Sequence, residues 1–228
     1  LSACASTTSN SVSGVKRNQI LLLPSSTVNQ MSTQSYTQTL QYAQKKNTLN
    51  ADKPLLNRVK TISNRLIAQV GVFRPDASQW KWEVNVEKND QLNAYCMPGG
   101  KIMVFSGLAD KLNASDDELA AVIGHEIAHA LREHGRERMS QAYLQQYGLQ
   151  ALAALIGGTA GSMAAQGAGM GSQLLFSLPN GREQEREADR MGLELAARAV
   201  SYTHLAGDSQ MTLPTSHVRC RSRWSPYH

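Results

Sequence analysis

From Leu119 to Leu131 the chain is Leu, Ala, Val, Ile and Gly except at three positions, His125, Glu126 and His129. The preceding Ser115-Asp116-Asp117-Glu118 has the Ser-x-x-Glu form of a capping box, with two further carboxylates in the first turn where the helix dipole favours them. A helix is therefore predicted to start there and to run to about His134. So apolar a helix has to be buried, and a lone carboxylate buried with it costs several kcal/mol unless it is paired, neutralised or beside a cation. Positions four apart lie about 40° from each other around a helix, so the imidazoles of His125 and His129 project to one side, one turn apart. That spacing suits a single zinc ion, which would also resolve the cost of Glu126, the candidate general base of the His-Glu-x-x-His pattern.

A zinc hydrolase needs a third protein ligand and one position left open. Where the longer metzincin pattern has Gly and His, this chain has Arg132 and Gly135. His134 follows His129 by five positions, about 140° around a continuous helix, and is read as solvated or as supporting a ligand, not as a ligand itself. In Glu183-Gln184-Glu185-Arg186-Glu187-Ala188-Asp189, Glu185 and Asp189 again share one face, while Glu187 lies about 200° from Glu185 and faces elsewhere. Glu185 is the expected third ligand. Asp189 is the expected acceptor that fixes a ligand imidazole through its other ring nitrogen. The cofactor expected is one Zn2+ per chain.

The remainder reads as one domain with appendages. With 228 residues, 41% of them hydrophobic, it can bury a substantial core without disulfide staples, and the cysteines at 4, 96 and 220 form no CxxC pair. The 23 Lys and Arg against 18 Asp and Glu are scattered and not interleaved with aromatics, which argues against nucleic acid as a partner. Tyr36 to Lys46 reads as a short first helix. Leu55, Val59, Ile62, Leu66 and Val70 recur at helical spacing behind Asp52 and Pro54 and before Gly71. Trp80 to Glu87 alternates as a strand with one buried face. Leu92 to Met97 and Lys101 to Ser106 flank Pro98-Gly99-Gly100 as a hairpin, so a small, mostly antiparallel sheet is expected. Met139 to Gly181 carries no charge, and within it Ala151 to Gly171 is crowded with Ala and Gly, which reads as a loosely helical or partly mobile insert, with a membrane span as the competing reading.

HEIAH at 125–129, Glu185 and Asp189 within EREAD, and Asn93-Ala94-Tyr95 ahead of the Pro-Gly-Gly turn and Ile102 to Leu108 together resemble the HtpX-like and CAAX-prenyl-protease-related zinc metallopeptidases, peptidase family M48. The likeness is greatest to their bacterial lipoprotein members of the periplasm and covers about residues 40–199. It implies an α+β, mainly helical gluzincin fold, in which an active-site helix faces a second ligand helix and the edge strand of the small sheet lines the cleft. Residue by residue it implies His125, His129 and Glu185 as zinc ligands and Glu126 as catalytic base. A substrate backbone is expected to add as a strand along Asn93, Ala94 and Tyr95. The expected partners are protein or peptide substrates, misfolded or unassembled envelope proteins among them. The oligomeric state is left open.

The two ends differ from this middle. Leu1-Ser2-Ala3-Cys4 resembles the lipobox of a bacterial lipoprotein, which would make Cys4 the lipidated residue, attached to a membrane on the periplasmic side of the envelope, at the outer membrane. Residues 5–39, rich in Ser, Thr, Asn and Gln, read as a solvated tether. Past Val200 neither helical nor strand period persists, and the strings at 201–205 and 212–215 resemble translated sequencing-adapter read-through where family members continue with helices that complete the cleft, a disordered native tail being the alternative reading. The expected division is therefore a leader and tether at 1–39, a peptidase domain at 40–199 containing the charge-free insert at 139–181, and an atypical tail. The alternative reading is a non-catalytic lipoprotein that binds unfolded outer-membrane proteins on the charge-free segment. The full set of His125, Glu126, His129 and Glu185 argues against it.

Overall fold

In the computed structural model of the chain, residues 4–8, 12–156 and 179–204 are described. A two-stranded ribbon of β1 (Cys4–Ala5) and β2 (Gln19–Ile20) leads into α1 (Ser25–Lys45), α2 (Lys53–Ile67), the short α3 (Val70–Phe73) and a 3-10 turn at Pro75–Gln79. Then come β3 (Glu83–Glu87), β4 (Ala94–Met97), β5 (Lys101–Phe105), the short α4 (Ser106–Asp110), α5 (Asp116–Leu131), α6 (His134–Ile156) and α7 (Arg182–His204). This is the mainly helical α+β architecture that the sequence predicts. Among the described residues no helix is long and apolar enough to cross a membrane. The charge-free segment past Ile156 and the tail past His204 lie outside the described residues, apart from positions 179–181.

α2 forms where the apolar spacing places it. Asp52 caps it, its side chain accepting from Leu55 N at 2.8 Å, and Leu55, Val59, Ile62 and Leu66 are buried. α5 starts at the capping box, with Ser115 N donating to Glu118 Oε2 at 2.8 Å and Glu118 N to Ser115 Oγ at 3.3 Å. It ends at Leu131, short of the expected His134, because Glu133 takes a left-handed φ of 53° that turns the chain into α6. Glycine is the usual occupant of that conformation at a helix end. Here the Glu133 carboxylate is held by Arg136 at 2.9 Å and Arg74 at 3.5 Å.

The sheet is mixed, where a mostly antiparallel one was expected. β4 and β5 form the predicted hairpin, Ala94 opposite Val104 and Met97 opposite Lys101, across Gly99 and Gly100 at φ +80° and +83°. β3 pairs in parallel with β5, Glu83 opposite Lys101 and Glu87 opposite Phe105, so the order is β3-β5-β4. A hairpin is dictated locally by its turn, whereas the neighbour of β3 is chosen by burial. β5 is buried at every position and is hydrogen-bonded on both sides. β4 is left at the edge and packs on α5. The regular part of β3 begins at Glu83 and not at Trp80, because Trp80 and Trp82 stack at 5.5 Å and Trp82 Nε1 donates to Ala77 O, which folds the start of the alternating run onto the 3-10 turn.

The amino-terminal segment is no solvated tether. α1 starts at Ser25, well ahead of Tyr36, and Val15, Gln19, Leu23, Val28, Ser32 and Tyr36 are buried. α1 carries no continuous apolar stripe to read. It is held to the sheet region by side chains donating to backbone carbonyls, Tyr36 Oη to Ile102 O at 2.5 Å and Ser32 Oγ to Pro98 O at 2.8 Å.

α7 lies along α5, backbone against backbone at Gly192 and Gly124. Around this contact Leu119, Ile123, Ile127, Met191 and Leu195 join Val59, Ile62 and Leu66 of α2 and Ile102 and Val104 of β5 in one core. The close approach of the two helices is what brings their polar faces together.

Candidate metal centre

His125 Nε2 and His129 Nε2 stand 2.9 Å apart, with Glu185 Oε2 at 3.4 Å from the first and Glu185 Oε1 at 3.5 Å from the second. Around a tetrahedral zinc with bonds of about 2.0–2.2 Å, ligand atoms stand roughly 3.3–3.6 Å apart. His125, His129 and Glu185 can therefore hold such an ion with little movement. Two imidazoles and a carboxylate, with a fourth direction left over, are also the donor set of a hydrolytic zinc site. One atom asks for a cation independently. Glu185 Oε1 is buried and accepts no hydrogen bond from the described residues, a state that costs about 1–3 kcal/mol, or more for a charged group.

Asp189 Oδ1 lies 2.9 Å from His125 Nδ1 and leaves His125 Nε2 facing the site. Burial works to lower His125, but hydrogen bonds from the ring to Asp189 and Glu185 outweigh it and raise it to about 10. The carboxylates that would hold a proton there so firmly present the same field to a divalent cation. His129 is driven well below its ordinary value, first by burial and then by His134, His125 and Arg138. Burial pushes the Glu126 carboxyl up to about 7; His125 and Arg138 oppose the shift and Glu185 adds to it. A base poised near neutral pH suits proton transfer.

Asn93, Ala94 and Tyr95 lie along the edge of the sheet, Asn93 O accepting from Phe105 N at 3.0 Å. Ala94 and Cys96 face the core shared with α5, while the Tyr95 ring packs on the other side against Phe105, edge-on at 6.2 Å. Tyr95 therefore contributes backbone, not a ring, to the helix-facing side. Cys4 sits in β1, opposite Ile20 and remote in sequence from these groups.

Around the histidines stand polar residues to which the sequence assigned no part in the site, Arg17, Arg132, Arg138 and Asn180, and two whose surroundings it did not foresee, His134 and Glu187. His134 is fully buried, with Nδ1 2.8 Å from His129 Nδ1 and Nε2 2.9 Å from Glu187 Oε2. The turn at Glu133 swings it back over the end of α5, where a continuous helix would have pointed it away. Glu187 does face away from Glu185, but into a buried network with Arg17 and Arg132 and not into solvent. Arg138 Nη1 donates to Asn180 Oδ1, and Asn180 Nδ2 lies 3.4 Å from His129 Nε2. The charge-free segment thus leaves and returns beside the histidines. The available signal was that Arg138 and Asn180 stand at its two ends.

This network should make the fold acid-sensitive. Burial works to raise Glu187, but hydrogen bonds from His134 and Arg17 outweigh it and hold the carboxyl at about 2. Burial opposes the shift at Glu137 too, where Arg17, Gln184 and Gln19 prevail and hold it below the ordinary range. Groups depressed in the folded state stabilise it fully above their unfolded values, and lose that contribution as pH falls through the folded ones. The melting temperature of the metal-free chain should therefore fall as pH drops from the ordinary carboxylate value of 4.5 toward 2. A flat melting profile over that window would contradict the network.

The sequence model of peptidase family M48 matches residues 55–219, a stretch that contains His125, Glu126, His129, Glu185 and Asp189. The mitochondrial metalloendopeptidase OMA1 of Bos taurus is 37% identical over 148 residues, covering 62% of this chain and 28% of that protein. The beta-barrel assembly-enhancing protease of Yersinia pestis is 30% identical over 158 residues, covering 64% of this chain and 30% of that protein. The metalloprotease LoiP of Escherichia coli strain K12 is 30% identical over 164 residues, covering 68% of this chain and 61% of that protein. The chain thus spans only part of the length of each of these relatives.

Proposed function

The chain belongs to peptidase family M48, and from that premise we propose that it is a zinc-dependent endopeptidase acting on misfolded or unassembled proteins of a bacterial envelope. The observation that carries this reading is the triangle of His125 Nε2, His129 Nε2 and the Glu185 carboxylate at 2.9 to 3.5 Å, with Glu126 beside His125 on the same helix. When bound, zinc supplies Lewis-acid polarisation of a carbonyl and a lowered pKa for water. Glu126 accepts a proton from the attacking water as the new C–O bond forms, and delivers it to the leaving amide nitrogen as the C–N bond breaks. Asp189 keeps the His125 ring turned to the site.

A substrate backbone binds by adding as a strand to β4 at Asn93, Ala94 and Tyr95. Two features support this: β4 has one strand neighbour among the described residues, β5, and it packs on the helix that carries the histidines. Recognition through main chain makes for broad specificity. The envelope location, with a lipid on Cys4, rests on the Leu1-Ser2-Ala3-Cys4 string and on the likeness to the beta-barrel assembly-enhancing protease and LoiP.

The full chain should carry zinc by elemental mass spectrometry and degrade casein. A chelator should abolish degradation, and added zinc should restore it. Suppression of aggregation without cleavage, indifferent to chelator, would overturn the reading in favour of a binding protein.

A further inference from the structure

Behind His129, on the side away from the triangle, the buried groups form a chain of hydrogen bonds with one consistent direction. Glu187 accepts from Arg17 Nε at 2.8 Å and Nη2 at 3.2 Å, and from Arg132 Nη2 at 3.1 Å and Nε at 3.2 Å. His134 Nε2 lies 2.9 Å from the same carboxylate. An ionised carboxylate only accepts, so that nitrogen carries a proton. The guanidinium groups of Arg17 and Arg132 are matched by the carboxylates of Glu187 and Glu137, so a cationic His134 would add a charge with no carboxylate of its own. In the neutral ring Nδ1 is a lone pair, and at 2.8 Å it accepts from His129 Nδ1. His129, with its proton on Nδ1, then turns the lone pair of Nε2 toward His125 Nε2 and Glu185.

We propose that His134 and Glu187 are positioning residues for the metal ligand His129, and that the amino-terminal strap supports the metal centre by holding Glu187 through Arg17. The inference rests on the metal reading above. His125 has its own acceptor in Asp189, so each ligand imidazole is fixed from behind by a separate partner. The strap is tied in at further points. Arg17 O accepts from Arg132 Nη2 at 2.9 Å, Gln19 Nε2 donates to Arg132 O at 2.7 Å, and Arg17 Nη1 meets Glu137 Oε1 at 2.5 Å. These strap residues precede residue 55, where the family match begins.

The test is zinc affinity of the full chain, by competition with a chromogenic chelator, for the unmodified protein, His134→Phe and Arg17→Leu, alongside melting of each metal-free form. His134→Phe should weaken zinc about 10–100-fold, and Arg17→Leu should weaken it by a smaller factor. A merely structural role would lower the metal-free melting temperature and leave the zinc dissociation constant unchanged; that result overturns the proposal. If His134→Phe does not fold, nitrogen-15 NMR of the unmodified metal-free chain decides. Protons on His129 Nδ1 and His134 Nε2 support the chain of bonds, and the opposite pair overturns it. Absence of zinc binding by the unmodified chain would overturn the metal reading itself, and this inference with it.

Discussion

Replacing Glu126 with glutamine should leave zinc bound and lower peptide turnover by about 100- to 10,000-fold, the range of a positioned general base. The side chain keeps its shape but can no longer accept a proton from water, while His125, His129 and Glu185 are untouched. That factor corresponds to roughly 2.7–5.5 kcal/mol of transition-state stabilisation. The stability of the metal-free protein should move the other way. Burial pushes the Glu126 carboxyl up to about 7, so above that pH the folded state holds an unfavourable charge. Glu126→Gln removes that charge and should raise the metal-free melting temperature at alkaline pH. Turnover within tenfold of the unmodified enzyme, at equal zinc content, would remove Glu126 from the proposed role.

The second large effect is expected at Gly192, where no polar group is involved. A Cβ at this position would stand 2.6 Å from His125 N, 2.7 Å from His125 Cα and 2.9 Å from Gly124 C. All three are backbone atoms and cannot rotate away, so α5 and α7 would have to part. Overpacking of this kind costs about 1–3 kcal/mol, offset by about 1 kcal/mol from the better helix propensity of alanine. The net loss for Gly192→Ala, up to about 2 kcal/mol, corresponds to a fall of at most roughly 8 °C in melting temperature. Because the proposed ligands are split between these two helices, zinc affinity should fall as well. Gly71→Ala is the control: there the new Cβ meets the Ser78 hydroxyl at 2.6 Å, a group that can rotate. Unchanged melting and unchanged zinc affinity for Gly192→Ala would show that the two backbones are not in contact.

The parts of the site that were legible in the sequence are those set by spacing along a single helix. His125 with His129, and Glu185 with Asp189, share a face because positions four apart always do on a helix. The Asp52 cap and the Ser115 capping box were legible for the same reason, since each is closed by a residue three positions on. His134, read as solvated or as supporting a ligand, lies against His129 where a continuous helix would have pointed it away, because the helix breaks at Glu133, whose conformation is held in part by Arg74 from far along the chain. The part of α1 ahead of Tyr36 and the strap were missed because they are tied down by hydrogen bonds to distant backbone and carboxylates, Ser32 to Pro98 and Arg17 to Glu187, which leave no apolar period to detect.

The order of strands went unread for a related reason. A turn such as Pro98-Gly99-Gly100 dictates its own hairpin, but nothing near Glu83 names β5 as its neighbour. The sequence by itself determined the chemistry on offer: two imidazoles one turn apart, a carboxylate between them, and an acidic pair on a later helix. Only the tertiary structure decided that the acidic pair meets the imidazoles, through two glycines that let the helices touch. It alone decided that a strap from the other end of the chain closes behind them. Periodicity is a property of neighbours in the chain, whereas the distance between His129 and Glu187 is set by how separate backbones pack.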